Sequence, residues 1–362
     1  MRAQRIDRVR ARMRELDLEV LLLSLGADLP WLTGYTAMPL ERLTMLVLPV
    51  DGEITLVVPG LEAARVEADD SLFRLRPWNE TEDPVAIVAG LVGAARHIGV
   101  GDRTWATFVL GLQQQLDSAH WVRASEVTGP LRAVKDADEV AALRAAAEGA
   151  DRVAAALLGG DIPLVGRREI EVSRELGERL RAEGHQRVNF AIVGSGPNAA
   201  SPHHEPGDRV IGTGESVVCD FGGTMDGYCS DITRTVFTGD PPPEFRGLYD
   251  VLQEAQAAGV AAARPGTPCE EIDAAARDII DAAGFGPEFL HRTGHGIGLE
   301  EHEDPYLVAG NADLLEPGHA FSIEPGIYVE GRWGARIEDI VVAGDDGPIP
   351  LNTADHSLTV VA

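Results

Sequence analysis

The sequence has 362 residues, 44% of them hydrophobic and 25% charged, with a formal net charge of −27. That length exceeds one hydrophobic core and predicts two domains, and the apolar content excludes a disordered chain. The acidic balance argues against nucleic acid and anionic membrane as partners, because binding phosphate needs clustered Lys and Arg.

In chain order, residues 1–17 predict an amphipathic helix with Ile6, Val9, Met13 and Leu16 on one face. The run 20–23 predicts a buried strand, and the runs 45–48 and 54–58 predict a hairpin around Asp51-Gly52. Asp83 is placed to cap a helix that has Pro84 at its first position. A strand over 97–100 and a helix over 108–116 follow. Trp31, Trp78 and Trp105 read as core or edge packing. Gly129-Pro130 marks the expected boundary, giving a mixed α/β domain over 1–127 and a second domain over 128–362.

The second domain opens with a long Ala-rich helix over 136–158 and another over 167–183, which stops at Gly184. Strands are expected over 188–193, 216–221 and 229–237. The order then repeats: helices over 243–263 and 268–283, and strands that include 320–323 and 335–341. Two helices then strands, twice over, predict a pseudo-twofold α+β domain with helices on one side of a sheet. The three cysteines, Cys219, Cys229 and Cys269, have neither a disulfide framework nor a CxxC spacing. With no apolar signal core near the N-terminus and no run long enough to span a bilayer, the expected location is the cytoplasm.

The chemistry sits in the second domain. Asp220 interrupts an apolar run, and Asp231 interrupts the next one eleven residues later. The six residues Gly222 to Gly227 are expected to form the turn that lets the two strands pair. Glu324 ends a third apolar run and Glu338 lies inside a fourth. Between these pairs stands the glycine-rich stretch His291-Arg292-Thr293-Gly294-His295-Gly296, followed by His302. A carboxylate in an apolar strand is costly without a compensating charge, and a pair of them calls for a cation. Four carboxylates and one imidazole suit two divalent ions such as Mn²⁺, Co²⁺ or Zn²⁺. Two such ions about 3.5 Å apart generate hydroxide near neutral pH and hold a tetrahedral oxyanion.

The strings DFGGTMDGYCSDITRT, HRTGHGIGLEEHE, SIEPGIY and GARIED resemble those of the pita-bread metallopeptidases, and within them the Xaa-Pro dipeptidases (prolidases) and Xaa-Pro aminopeptidases (aminopeptidase P). Residues from about 130 to 362 are similar to the catalytic domain, and 1–127 resemble a creatinase-type N-terminal domain. The resemblance implies that Asp220 binds one metal, that Asp231 and Glu338 bridge both, and that His295 and Glu324 complete the other. It implies Glu324 as the proton shuttle to the leaving amine. His203 is implied as a substrate-binding histidine, with His204 beside it an open alternative. His291 and His302 are implied to hold the substrate carboxylate or carbonyl, and Arg336 and Tyr228 to support the site. The implied cofactor is two divalent ions per chain, with Mn²⁺ first. The implied substrates are proline-containing dipeptides or short peptides, with a dipeptidase preferred, and a homodimer is expected.

Two other readings keep the fold: a creatinase-like hydrolase of a small amide, and a binding module without activity. The five intact ligand types speak against a metal-free creatinase and against the binding module, while a metal-using hydrolase of another amide stays open. Gly194–Ala199 fits GxGxxA, but Pro197, Pro202 and Pro206 leave no helix to open there, so no dinucleotide site is expected. There is no HExxH and no GxSxG.

Overall fold

The computed structural model describes residues 2–67 and 69–361. The chain divides into two compact units, 1–132 and 133–362.

The first unit is built on β1 (Val20–Leu23), whose four apolar residues are all buried, as suits a central strand. It is preceded by α1 (Arg2–Glu15) and followed by α2 (Asp28–Thr33), β2 (Met45–Pro49), β3 (Thr55–Pro59), β4 (Arg74–Trp78) and α3 (Pro84–Val92). Next come β5 (His97–Val100), α4 (Ala106–Gln115), β6 (His120–Arg123) and α5 (Ser125–Ala133). The strands form one six-stranded sheet in the order β4-β3-β2-β1-β5-β6. The β2–β3 hairpin forms around Asp51-Gly52, where Gly52 takes φ 106°. The Asp83 carboxylate caps α3, accepting from the Val85 and Ala86 N–H groups at 2.9 and 3.2 Å. Trp31 and Trp78 are buried, while Trp105 is 38% exposed and stacks on Phe108.

Gly129 and Pro130 lie inside α5, not in a linker. Proline disfavours a helix interior by removing one hydrogen bond, but the preceding Val127 and Thr128 are fully buried, and packing outweighs that local preference here.

The second unit starts with α6 (Ala137–Leu158), capped by a reciprocal box between Asp136 and Glu139, and α7 (Glu169–Ala182). Then come β7 (Arg187–Ser195), a 3₁₀ turn at Gly196–Ala200, β8 (Ser216–Met225), β9 (Tyr228–Cys229) and β10 (Ile232–Thr238). The pattern repeats with α8 (Pro243–Ala262), α9 (Cys269–Ala282), β11 (Gly294–Gly296), β12 (Glu303–Leu307) and β13 (Ala320–Ile323). The chain ends with β14 (Gly326–Val329), β15 (Trp333–Arg336), β16 (Asp339–Gly344), β17 (Gly347–Pro350) and β18 (Thr359–Val361).

These strands make two five-stranded sheets and a ribbon, not one sheet. The first runs β18-β10-β8-β7 with β9 on β8, the second β12-β11-β13-β16-β17, and β14 pairs with β15. Leu157, Val172 and Leu176 of α6 and α7 pack on Val217, Phe221 and Val236 of the first sheet. Ile272 of α9 packs on Phe321, Ile323 and Val341 of the second. An isolated bridge between Thr233 and Glu338 ties the two sheets together.

Two local expectations change, and both concern the acidic pairs. The turn after β8 is only Asp226-Gly227, with φ 48° and 89°, because Gly222 and Gly223 stay in the strand. Gly222 serves close approach there: a Cβ would run into the Ser230 carbonyl oxygen and the Phe190 ring. The expected strands 229–237 and 335–341 are each broken in the middle, at Ser230-Asp231 and at Ile337-Glu338. Asp231 and Glu338 therefore sit at strand breaks, while Asp220 stays inside β8. Among the described residues, no helix is long and apolar enough to cross a membrane.

Candidate functional site

Asp220 is on β8, Asp231 lies between β9 and β10, His295 is the middle residue of β11, Glu324 directly follows β13, and Glu338 lies between β15 and β16. The bridge from Thr233 to Glu338 brings the two halves together, with the Glu338 N–H donating to the Thr233 carbonyl at 3.2 Å. Ligand atoms of Asp231, His295 and Glu338 all fall within 4.8 Å of one another, and all three residues are buried. His295 Nε2 lies 3.4 Å from Glu324 Oε1 and 3.8 Å from Asp231 Oδ2.

The imidazole of His295 is oriented by the backbone. Its Nδ1–H donates to the Gly296 carbonyl at 3.1 Å, which leaves the Nε2 lone pair facing the carboxylates. Burial and the neighbouring His302 push its pKa down to about 3, so the ring is neutral, as a ligand must be. The carboxylates move the other way. Burial and then Glu338, Asp220 and Glu324 raise Asp231 well above the usual range. Burial and then Glu324 and Asp220 do the same to Glu338, and burial raises Glu324 to about 7. Thr233 Oγ1 donates to Glu338 at 2.6 Å, and Arg336 pairs with one oxygen of Asp220. The other oxygen, Asp220 Oδ1, is buried with no hydrogen-bond partner.

These groups line a cavity of about 370 Å³ inside the second unit, together with Phe190, Ile192, Pro202, His203, His291, Arg292, Glu301, His302 and Arg336. His302 packs edge-on against His295 with ring centroids 4.0 Å apart. His203 and His204 are placed differently. His203 lines the cavity, whereas His204 donates from Nε2 to Glu169 at 2.8 Å.

Two expected site residues stand differently. Tyr228 is not a cavity residue, because its hydroxyl donates to Glu139 of α6 at 2.8 Å. The tyrosine at the site is Tyr328, which the sequence reading missed; its hydroxyl accepts from Arg336 at 2.8 Å and donates to His291 Nε2 at 2.8 Å. His291 lines the cavity, but both its ring nitrogens are taken, since Nδ1–H donates to the Arg292 carbonyl at 2.8 Å. The buried Arg234 pairs with Asp339 at 2.7 Å and not with a cluster carboxylate.

Residues 141–345 match the family model "Metallopeptidase family M24", and residues 5–134 match "Creatinase/Prolidase N-terminal domain". The chain belongs to metallopeptidase family M24. The peptidase is 44% identical over 364 residues to "Probable dipeptidase PepE" of Mycobacterium tuberculosis, covering 99% of this chain and 96% of that protein. Among solved structures, the dipeptidase PepE from Mycobacterium ulcerans matches with TM-score 0.94 and 45% identity, over 100% of this chain and 98% of the other. The recombinant prolidase from Thermococcus sibiricus matches with TM-score 0.94 and 36% identity, over 100% and 99%.

Family membership implies divalent metal, and the donor set fits it. Buried carboxylates that repel one another, a neutral imidazole with its lone pair turned inward and an orphaned carboxylate oxygen all lack the positive charge that a divalent ion brings. Arg292, Phe190 and Ile192 were also missed. Arg292 lies inside the histidine motif and was readable there, but the two β7 side chains carry no local signal.

Proposed function

We propose that this M24 peptidase is an Xaa-Pro dipeptidase using two divalent ions, Mn²⁺ first among them. Asp220, Asp231, His295, Glu324 and Glu338 would hold the ions. When bound, they supply a water ionised near neutral pH and positive charge for the developing oxyanion.

The chain's own residues do the rest. Glu324, on the cavity wall beside His295, carries the proton to the leaving proline nitrogen. His203 and His302 face the cavity and hydrogen-bond the substrate carbonyl. His291 works one step back, holding the Tyr328 hydroxyl and through it Arg336 against Asp220. Phe190 and Ile192 offer an apolar wall for the pyrrolidine ring. A cavity of about 370 Å³ is near the small end of ligand pockets, about 300–1,000 Å³, and suits a dipeptide.

The observation that carries the dipeptidase reading is Arg292. Arg292 lines the cavity, its guanidinium lies over the Tyr306 ring at 4.4 Å, and among the described residues no carboxylate pairs with it. It is placed to receive a free C-terminal carboxylate beside proline, which a dipeptide has and a longer peptide lacks there.

The test strips metal with a chelator, restores Mn²⁺ and compares Ala-Pro with Ala-Pro-Ala. Metal-dependent cleavage of Ala-Pro alone is expected, and Arg292→Ala should raise its KM by roughly tenfold or more. Preferred cleavage of the tripeptide would make the enzyme an aminopeptidase P instead. Cleavage of neither would overturn the Xaa-Pro reading.

A further inference from the structure

One carboxylate outside the five-ligand cluster is saturated with donors in an unusual way. Glu169 is the first residue of α7 and is fully buried. It accepts from the Ser195 N–H at 2.8 Å, the Ser195 hydroxyl at 2.7 Å, the Asn198 amide at 3.1 Å and His204 Nε2–H at 2.8 Å. Burial alone would push its pKa up, but the Ser195 and His204 bonds hold it below the usual glutamate value. All these donors come from one stretch of chain: the end of β7, the 3₁₀ turn and the loop after it. That stretch carries Pro202 and His203 to the cavity wall. The backbone ties it down again further on, where the Glu169 N–H donates to Arg209 and the Ile170 N–H to Gly207, both at 3.0 Å.

We propose that Glu169 and His204 are positioning residues for substrate binding: the buried carboxylate–imidazole pair locks the loop of residues 196–205 so that His203 stays at the cavity wall. The inference rests on the reading of His203 as a substrate contact. It explains why two adjacent histidines are present: one meets the cavity, and the other fastens the loop. The pair touches none of the five ligand residues, so its loss should leave metal binding intact and act on substrate affinity.

The test uses the Mn²⁺-loaded full-length enzyme and the variants Glu169→Gln, His204→Ala, His204→Gln and His203→Ala, with Glu169→Gln/His203→Ala as the double variant. KM and kcat are measured on whichever of Ala-Pro or Ala-Pro-Ala is cleaved, Mn²⁺ binding by calorimetry, and hydrogen exchange over residues 196–205. Glu169→Gln and His204→Ala should each raise KM roughly tenfold with kcat and Mn²⁺ binding little changed, and should speed exchange in the loop. His204→Gln, whose amide can still donate to Glu169, should recover much of the loss. In the His203→Ala background, Glu169→Gln should add less than about twofold, as expected when one residue acts through the other.

A lowered melting temperature with unchanged KM, or effects that multiply in the double variant, would overturn the inference. His204→Ala decides the matter if Glu169→Gln does not fold. An unaffected KM in His203→Ala would remove the reading of His203 and the inference with it. If neither peptide is cleaved, only the Xaa-Pro reading falls, and unchanged loop exchange in His204→Ala would then overturn the positioning role alone.

Discussion

At the scale of single residues, the site sets stability against function. Burial and the mutual repulsion of Glu338, Asp220 and Glu324 make the charged form of Asp231 costly for the fold. Asp231→Asn should therefore leave the chelator-treated protein as stable as the parent, or raise its melting temperature by a few degrees, about 1 kcal/mol. The same change should lower Mn²⁺-dependent activity by roughly a thousandfold or more. Scanning fluorimetry with and without chelator, beside a peptidase assay, checks both signs; a clear loss of stability in chelator would count against the repulsion. Glu169 behaves oppositely. Its folded pKa lies below its unfolded value, so its contribution is present above about pH 4.5 and is lost as pH falls through the folded value. The melting-temperature gap between the parent and Glu169→Gln should be widest near pH 6–7 and close in acid; a gap constant down to pH 3 would show that the charge is not what holds the loop. The five ligand types were legible because each breaks an apolar run or a glycine-rich one. Arg336 was legible beside them, but Tyr328 and Glu169 were not, because Tyr328 acts through Arg336 and Glu169 meets His204 from 35 residues away. A tyrosine near a ligand in sequence, such as Tyr228, says nothing about where its hydroxyl bonds.

At the scale of elements, helices were easier to read than strands. The periodic apolar face of 136–158 and the Asp136 cap place α6 to within a residue. The strand runs 229–237 and 335–341 read as continuous because hydrophobicity records burial, and the breaks at Asp231 and Glu338 are buried too. The same limit applies to glycine. The sequence shows Gly294 only as part of a glycine-rich stretch, but a Cβ there would collide with the Ser322 carbonyl, so β11 and β13 meet only because it is absent. Gly294→Ala should cost about 1–3 kcal/mol and displace His295, with activity falling further than stability. Gly247 in α8 is the control: nothing lies within 4 Å of its Cβ position, and the helix gains from alanine. Gly247→Ala should be neutral or stabilising by about 0.5–1 kcal/mol, with unchanged activity. Urea unfolding of both variants checks the pair, and equal costs would mean that close approach is not what Gly294 provides.

At the scale of the whole molecule, the repeat of two helices then strands was legible, and it explains how the acids converge: one half supplies Asp220 and Asp231, the other Glu324 and Glu338. The split into two sheets was not legible, because strand partners are set far apart in sequence, as where Val236 pairs with Thr359. Charge acts at this scale as well. With 58 acidic and 31 basic residues, at least 27 acids have no basic residue to themselves. Exposed pairs such as Arg14–Asp51 and Arg246–Asp240 weaken as salt rises, but each contributes only about 0–1 kcal/mol. The excess of like charge repels across the whole surface and is screened as the Debye length falls from about 30 Å at 0.01 M to about 8 Å at 0.15 M. The balance favours screening, so NaCl over that range should raise the melting temperature by a few degrees; a flat or falling trend would mean that the exposed pairs dominate. The sign matters for any metal titration, because Mn²⁺ both screens the surface and binds the buried carboxylates. NaCl at matched ionic strength should reproduce only the first effect. The remaining shift should grow with the logarithm of free Mn²⁺ and vanish in Asp231→Asn, which separates binding at the cluster from the charge of the molecule around it.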